Sequence, residues 1–139
     1  MSKSSIYQLK ISWNKKIYRI IDIRGNNSLY KLAEFIIHAY NFDFDHAFGF
    51  YNNIKKMYDS TEKFELFADD GYECSPGAKG VSKTYLYDVF EKGKKMLFMF
   101  DYGDGWEFIV ECIDISEPSP KIKYPHILEK EGRAPKQYR

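Results

Sequence analysis

The chain has 139 residues, 44% of them hydrophobic, and its 21 Lys and Arg against 20 Asp and Glu leave a formal charge of +1. That length suits one globular domain and argues against two, while the balanced charge argues against a generally basic nucleic-acid binder. No apolar run approaches the roughly 20 residues of a membrane helix, and the polar stretch from Met1 to Ser5 has no signal-peptide core behind it, so a cytoplasmic protein without membrane contact is expected.

Ile6 to Trp13 alternates in the period of a half-buried strand, and Ile17 to Ile23 does the same after Asn14-Lys15-Lys16, which predicts a hairpin. The turn cluster Arg24-Gly25-Asn26-Asn27 precedes Ser28, a natural N-cap. Leu29, Leu32, Ala33, Ile36, Ile37 and Tyr40 then fall on one stripe of an amphipathic helix. Asn41 to His46 reads as a polar and aromatic connection, Ala47 to Tyr51 as a third strand, and the stretch on to Gly80 as a flexible insertion with a short strand near Phe64 to Phe67. Thr84 is the expected cap of a short helical turn that points Leu86, Val89 and Phe90 inward and closes at Gly93. Met96 to Tyr102 is apolar on both faces, as a central strand is. Gly103-Asp104-Gly105 turns it into an alternating strand from Trp106 to Ile115. Pro118, Pro120, Pro125 and Pro135 mark an extended tail.

This element order predicts an α+β fold: a β-grasp-like, ubiquitin-like mixed sheet with one long helix, extended by a C-terminal β-hairpin strand. Residues 1–117 form the domain, and residues 118–139 form a tail packed on it.

Beneath the neutral total lie charge blocks. Residues 1–24 carry six basic groups against one acidic, 43–73 three against eight, 79–95 five against two, 101–117 none against six, and 121–139 six against two. The plainer reading is mutual neutralisation across the fold; the functional reading is an acidic cleft with basic edges that steer a charged partner.

Two clusters crowd acidic groups and a histidine together: Asp43, Asp45, His46 and Asp101, Asp104, Glu107. If the third strand and the Met96 strand are neighbours, carboxylates and imidazole can face one another and hold a divalent cation. No spacing matches a known metal motif. The competing reading is that these residues form turns, with Asp104 supplying the turn chemistry between its glycines and His46 bonding a carboxylate or carbonyl. His38 stands four residues after Glu34, which predicts a pair on the helix surface. Cys74 and Cys112 fit no C-x-x-C pattern and read as structural or incidental. Gly103-Asp104-Gly105 lacks the Lys-Ser or Lys-Thr of a phosphate loop. Of the 18% aromatic residues, those on strands and helix read as core, and the remainder, including Phe42 and Tyr51, as an aromatic rim.

Ile6-Tyr7-Gln8-Leu9-Lys10-Ile11, Phe44-Asp45-His46-Ala47-Phe48, Phe100-Asp101-Tyr102-Gly103-Asp104-Gly105-Trp106 and Ala134-Pro135-Lys136-Gln137-Tyr138 together resemble the plasmid pRiA4b ORF-3-like family over nearly the whole chain. The resemblance implies a setting on plasmids and mobile elements, a fold in line with the β-grasp-like one, and recurrent polar residues at Asp45, His46, Asp101, Asp104 and Trp106. Family members often carry a histidine shortly after the tryptophan, where this chain has Glu107-Phe108. It also lacks the serine and arginine constellation of a serine recombinase.

The expected function is therefore a non-catalytic interaction module with no catalytic residue and no cofactor, whose partner is a protein or, through the basic blocks, nucleic acid. The alternative is a metal-dependent enzyme at a polar cleft of Asp45, His46, Asp101, Asp104 and Trp106, with the metal unspecified. A third possibility is a small-ligand pocket walled by Trp106 and Tyr102. Oligomeric state is left open by the sequence.

Overall fold

The computed structural model describes residues 3–72 and 75–138; Met1 and Ser2 of the polar start, and Cys74, lie outside them. Alternation does what the sequence predicts at the N-terminus. Strands β1 (Ile6–Ser12) and β2 (Tyr18–Arg24) pair antiparallel, with Leu9 opposite Ile21 and Ile11 opposite Arg19. The Asn14 side-chain oxygen closes the turn by accepting from the backbone N–H groups of Lys16 and Ile17 at 2.9 and 2.7 Å, the local bonding for which asparagine is favoured in turns.

Helix α1 (Leu29–Ala39) starts where Ser28 accepts a bond from the Lys31 N–H at 3.2 Å. Leu29, Leu32, Ala33, Ile36 and Ile37 are all fully buried, and each large aliphatic among them contributes about 1.5–3 kcal/mol against an exposed position. One turn on, the buried Tyr40 donates its hydroxyl to the Ile11 carbonyl at 2.7 Å, which fastens the helix end to β1. Burial drives that phenol up to about 12, because the ionised form would lose its hydration.

The remaining strands and α-helix are β3 (Phe48–Tyr51), β4 (Lys63–Glu65), α2 (Leu86–Val89), β5 (Lys95–Phe100), β6 (Trp106–Ser116) and β7 (His126–Glu131), with short 3-10 turns at Met57–Asp59 and Leu66–Asp70. All seven strands form one sheet in the order β4-β3-β5-β6-β1-β2-β7. Each of the six strand pairs is antiparallel, so the mixed sheet expected from element order is corrected to an antiparallel one. The reason is local. The tight turn after β5 folds β6 back beside it, and β6 enters between β5 and β1 instead of extending the sheet at its edge. A ubiquitin-like sheet would set β5 parallel beside β1, whereas here β6 lies between them and pairs antiparallel with β1 from Ile6 to Ser12. Helix α1 packs on the face carrying Leu9, Ile11, Ile21, Phe48, Phe98 and Phe108, and that contact is the core.

Several local expectations are revised. The described parts of the Asn52–Gly80 stretch carry specific bonds: Asn52 and Ser60 accept across its first turn, and the Asp69 carboxylate accepts from the Val81 and Ser82 N–H groups at 2.7 and 3.1 Å. Thr84 does not cap α2, since its hydroxyl donates to the Gly80 carbonyl at 2.8 Å; the Tyr85 N–H is satisfied by Asp88 instead. Glu34 pairs with Lys31 at 3.5 Å rather than with His38, whose ring lies 5.8 Å from that of Phe35. Phe42 and Tyr51, read as rim residues, are buried at 7% and 0% exposure, whereas Trp13 is 37% exposed. Within the tail, β7 pairs with β2 and so completes one edge of the sheet.

Candidate functional site

Antiparallel pairing of β3 and β5 brings the two polar clusters together. Phe48 stands opposite Phe100, so the residues before β3 and those after β5 share one end of the sheet, and the Asp101 N–H bonds the Ala47 carbonyl at 2.8 Å. Asp101 itself is buried at 7% exposure. It takes a left-handed φ of 61°, a conformation that aspartate tolerates because its short side chain bonds locally.

The two oxygens of Asp101 have different tasks. Oδ1 accepts from the N–H groups of Gly103 and Asp104 at 3.2 and 3.3 Å, closing the turn into β6. Oδ2 lies 3.3 Å from His46 Nε2. The same imidazole nitrogen is 3.5 Å from Asp45 Oδ1 and 3.3 Å from the Tyr138 hydroxyl. One nitrogen of the ring thus faces two carboxylates and a phenol.

A second ring of bonds comes from the C-terminus. Tyr138 donates to Asp45 Oδ2. Gln137 is bound at both ends of its amide: its oxygen accepts from the Asp43 N–H at 2.6 Å, and its nitrogen donates to the Asp43 carbonyl at 3.0 Å and to Asp45 Oδ1 at 3.3 Å. Asp45 holds the Tyr138 phenol up to about 12, because ionising the phenol would lose that bond and set two negative charges side by side.

The expected five-residue cleft divides. Asp45, His46 and Asp101 meet. Asp104 is exposed, and its contribution to the turn is its backbone N–H; the turn-forming side chain is that of Asp101. Trp106 is buried at 3% exposure and packs against Phe42 at 4.9 Å and Trp13 at 5.9 Å between ring centroids, so it builds core, not a cleft wall. Gln137 and Tyr138 are not among the candidate site residues; the sequence points to them through a stretch that resembles the family and, for Tyr138, through the aromatic rim. Among the described residues, no group of three or more His, Cys, Asp or Glu side chains is placed to hold a metal ion. Cys112 is buried on β6, and its thiol is pushed up to about 11 chiefly by that burial, the opposite of an activated nucleophile.

An antiparallel seven-stranded sheet with one face covered by a helix, and with a histidine clamped between two aspartates at one end, defines an α+β protein. A family model described as plasmid pRiA4b ORF-3-like protein matches residues 5–137, and the chain belongs to that family. Among solved structures it is similar to a protein of unknown function from Methanosarcina mazei Go1, at a TM-score of 0.75 and 22% identity over 93% of this chain and 71% of that one. That likeness extends to the fold. No curated protein matches. No helix among the described residues is long and apolar enough to cross a membrane.

Proposed function

We propose that the chain is a non-catalytic interaction module of plasmids or mobile elements, a domain of residues 1–117 carrying residues 118–139 as a packed tail. One observation carries this reading: the polar atoms a catalytic site would need are spent on fastening. Asp101 closes a turn, Asp45 holds Tyr138 and Gln137, and His46 joins the two carboxylates. A metal ligand needs a free lone pair within about 2.0–2.6 Å of the ion, and here carboxylate lone pairs accept from backbone N–H groups, the Gln137 amide and the Tyr138 hydroxyl.

The test against a metal-dependent enzyme is a thermal titration of the intact chain with Mg2+, Mn2+, Ca2+ and Zn2+. A module gives no saturable rise in melting temperature; a rise abolished by His46→Ala supports the enzyme instead.

Nucleic acid is a second reading, favoured by one feature. The half-exposed Trp13 lines a cavity of about 420 Å3 together with Lys10, Lys15 and Lys95, a combination of stacking surface and phosphate-binding cations. Glu111 lines the same cavity and offsets one of those charges. Duplex and single-stranded DNA titrated at low salt decide it, since phosphate contacts are strongest there; absence of binding at low salt removes the reading.

A further inference from the structure

The sheet face opposite α1 carries a second polar centre, on β3 and β4, that the end cluster does not touch. Gly49 stands opposite Glu65 in the pairing of β3 with β4. A Cβ at Gly49 would lie 2.6 Å from the Tyr102 hydroxyl and 2.7 Å from that of Tyr51, so the glycine leaves the space in which these two hydroxyls meet, 2.8 Å apart. Tyr51 passes its proton donor on to Glu65. Ser75 adds two more donors to the same carboxylate, its hydroxyl at 2.7 Å and its N–H at 2.9 Å. An ionised carboxylate only accepts, and here three donors converge on one that is 5% exposed.

Above this carboxylate opens a cavity of about 270 Å3 lined by Tyr58, Glu65, Phe67, Ser75 and Tyr102. Its aromatic residues are strongly exposed for their size, at 61% for Tyr58, 48% for Phe67 and 36% for Tyr102. Large rings left in water around a small concavity mark a surface that gains by being covered. Lys63, two residues before Glu65 on the same face of β4, directs its ammonium to the Pro76 carbonyl at 3.2 Å and does not line the cavity.

We propose that this cavity binds an organic ammonium group, seated among the rings of Tyr58, Phe67 and Tyr102 with the Glu65 carboxylate beneath it. Ring quadrupoles attract a cation, most strongly when it is partly desolvated, and the Glu65 carboxylate, whose oxygens accept from Tyr51 and Ser75, favours a cation over a neutral group of equal shape. The volume lies below the roughly 300–1,000 Å3 of pockets that take whole drug-sized molecules, so the cavity fits a head group. That head group belongs either to a small free cation or to a lysine side chain presented by a partner. The proposal stands independently of the end cluster, because no residue is common to both.

The test is titration of the intact chain with choline and with its neutral isostere 3,3-dimethylbutan-1-ol, read from the ring resonances of Tyr58 and Tyr102 by NMR. Choline is expected to shift them saturably, and the alcohol to bind about tenfold more weakly or not at all. Tyr58→Ala and Phe67→Ala, both at exposed positions, are each expected to weaken choline about threefold to thirtyfold with an unchanged melting temperature. Glu65→Gln should abolish the preference over the alcohol, and the two aromatic variants decide the matter if that protein does not fold. Short peptides carrying lysine or trimethyllysine, run beside choline, separate a side-chain source from a free cation by which binds tighter. Equal binding of choline and the alcohol, indifference to both aromatic variants, or no saturation by any ammonium probe overturns the proposal. None of these probes carries metal or phosphate, so the outcome is separable from the divalent-ion and DNA titrations.

Discussion

Asp101 concentrates three jobs in one residue: a left-handed backbone, a two-donor turn, and a carboxylate against His46. Asp101→Ala removes the side-chain bonds and leaves alanine, which lacks that local bonding, at positive φ. The two losses, roughly 1–3 kcal/mol for the buried bonds and about 1 kcal/mol for the backbone, predict destabilisation of about 2–4 kcal/mol in urea unfolding. Asp101→Asn keeps the Oδ1 acceptor and the tolerance for positive φ, so it should cost about 1 kcal/mol, through the altered contact with His46 alone. Equal losses in the two variants would show that the turn bonds contribute nothing.

Tyr138 gives the end cluster a pH signature. Its phenol is raised from 10.0 to about 12 by the bond to Asp45. A raised pKa means that the native state holds the proton more tightly than the unfolded one. The contribution of this bond is therefore complete below pH 10, declines between about 10 and 12, and is gone above. Ultraviolet titration should show the Tyr138 phenolate forming late, and Tyr138→Phe should flatten the fall in stability across that window. A Tyr138→Phe protein with the same alkaline profile as the parent would contradict the assignment.

Among elements, the junction of α1, β2 and β7 depends on one buried cation. Arg19, 3% exposed on β2, donates from Nε to the Ala39 carbonyl at 3.1 Å and from its terminal nitrogen to the carbonyls of Tyr18, Glu131 and Gly132, each at 3.0 Å. Its guanidinium also lies 4.8 Å from the Tyr40 ring centre. The end of the helix and the end of the last strand are thus joined through a single side chain. Arg19→Met keeps much of the volume and orphans several carbonyls, with an expected cost of about 2–4 kcal/mol. Amide exchange should rise first in β7, which has β2 as its one strand partner. Uniform exchange across the sheet would locate the role of Arg19 elsewhere.

Over the whole molecule, the alternating charge blocks are brought beside one another. Lys10 of the basic N-terminal block faces Glu111 of the acidic block across β1 and β6, and Lys95 faces the same Glu111 across β5 and β6. Lys94 pairs with Glu62 at 2.8 Å and Lys92 with Asp114 at 3.8 Å. At these places basic and acidic blocks stand side by side instead of forming separate surfaces. The tail takes part in the same unit: β7 covers β2, and Gln137 and Tyr138 reach the end cluster. Deleting residues 118–139 should expose the β2 edge, remove two Arg19 acceptors, and abolish the single cooperative calorimetric transition expected of the intact chain. Two separate transitions in the intact chain would mean that the tail folds apart from the domain.

What was legible in the sequence is what short-range periodicity encodes. The hairpin, the Ser28 cap, the buried stripe of α1 and the apolar β5 all follow from alternation or from 3.6-residue spacing, and these are properties of neighbours in the chain. The Asp45, His46 and Asp101 cluster was legible to the extent that β3 and β5 could be guessed as partners. The rest depended on contacts between residues far apart in sequence. Strand order, and with it the insertion of β6 between β5 and β1, is set by which edges find one another. The arrival of Gln137 and Tyr138 on Asp45 spans more than ninety residues, and the meeting of Tyr51 with Tyr102 spans fifty-one; no local pattern carries either. By itself the sequence determined the family, the N-terminal hairpin, the stripe of α1 and the strands β3, β5 and β6, because backbone sterics and side-chain burial act within a few residues; β7 and the burial of Phe42 and Tyr51 were not among them. The tertiary structure alone decided that Asp45, His46 and Asp101 meet Gln137 and Tyr138 and that an aromatic cavity opens over Glu65, because both arise where distant segments close on one another.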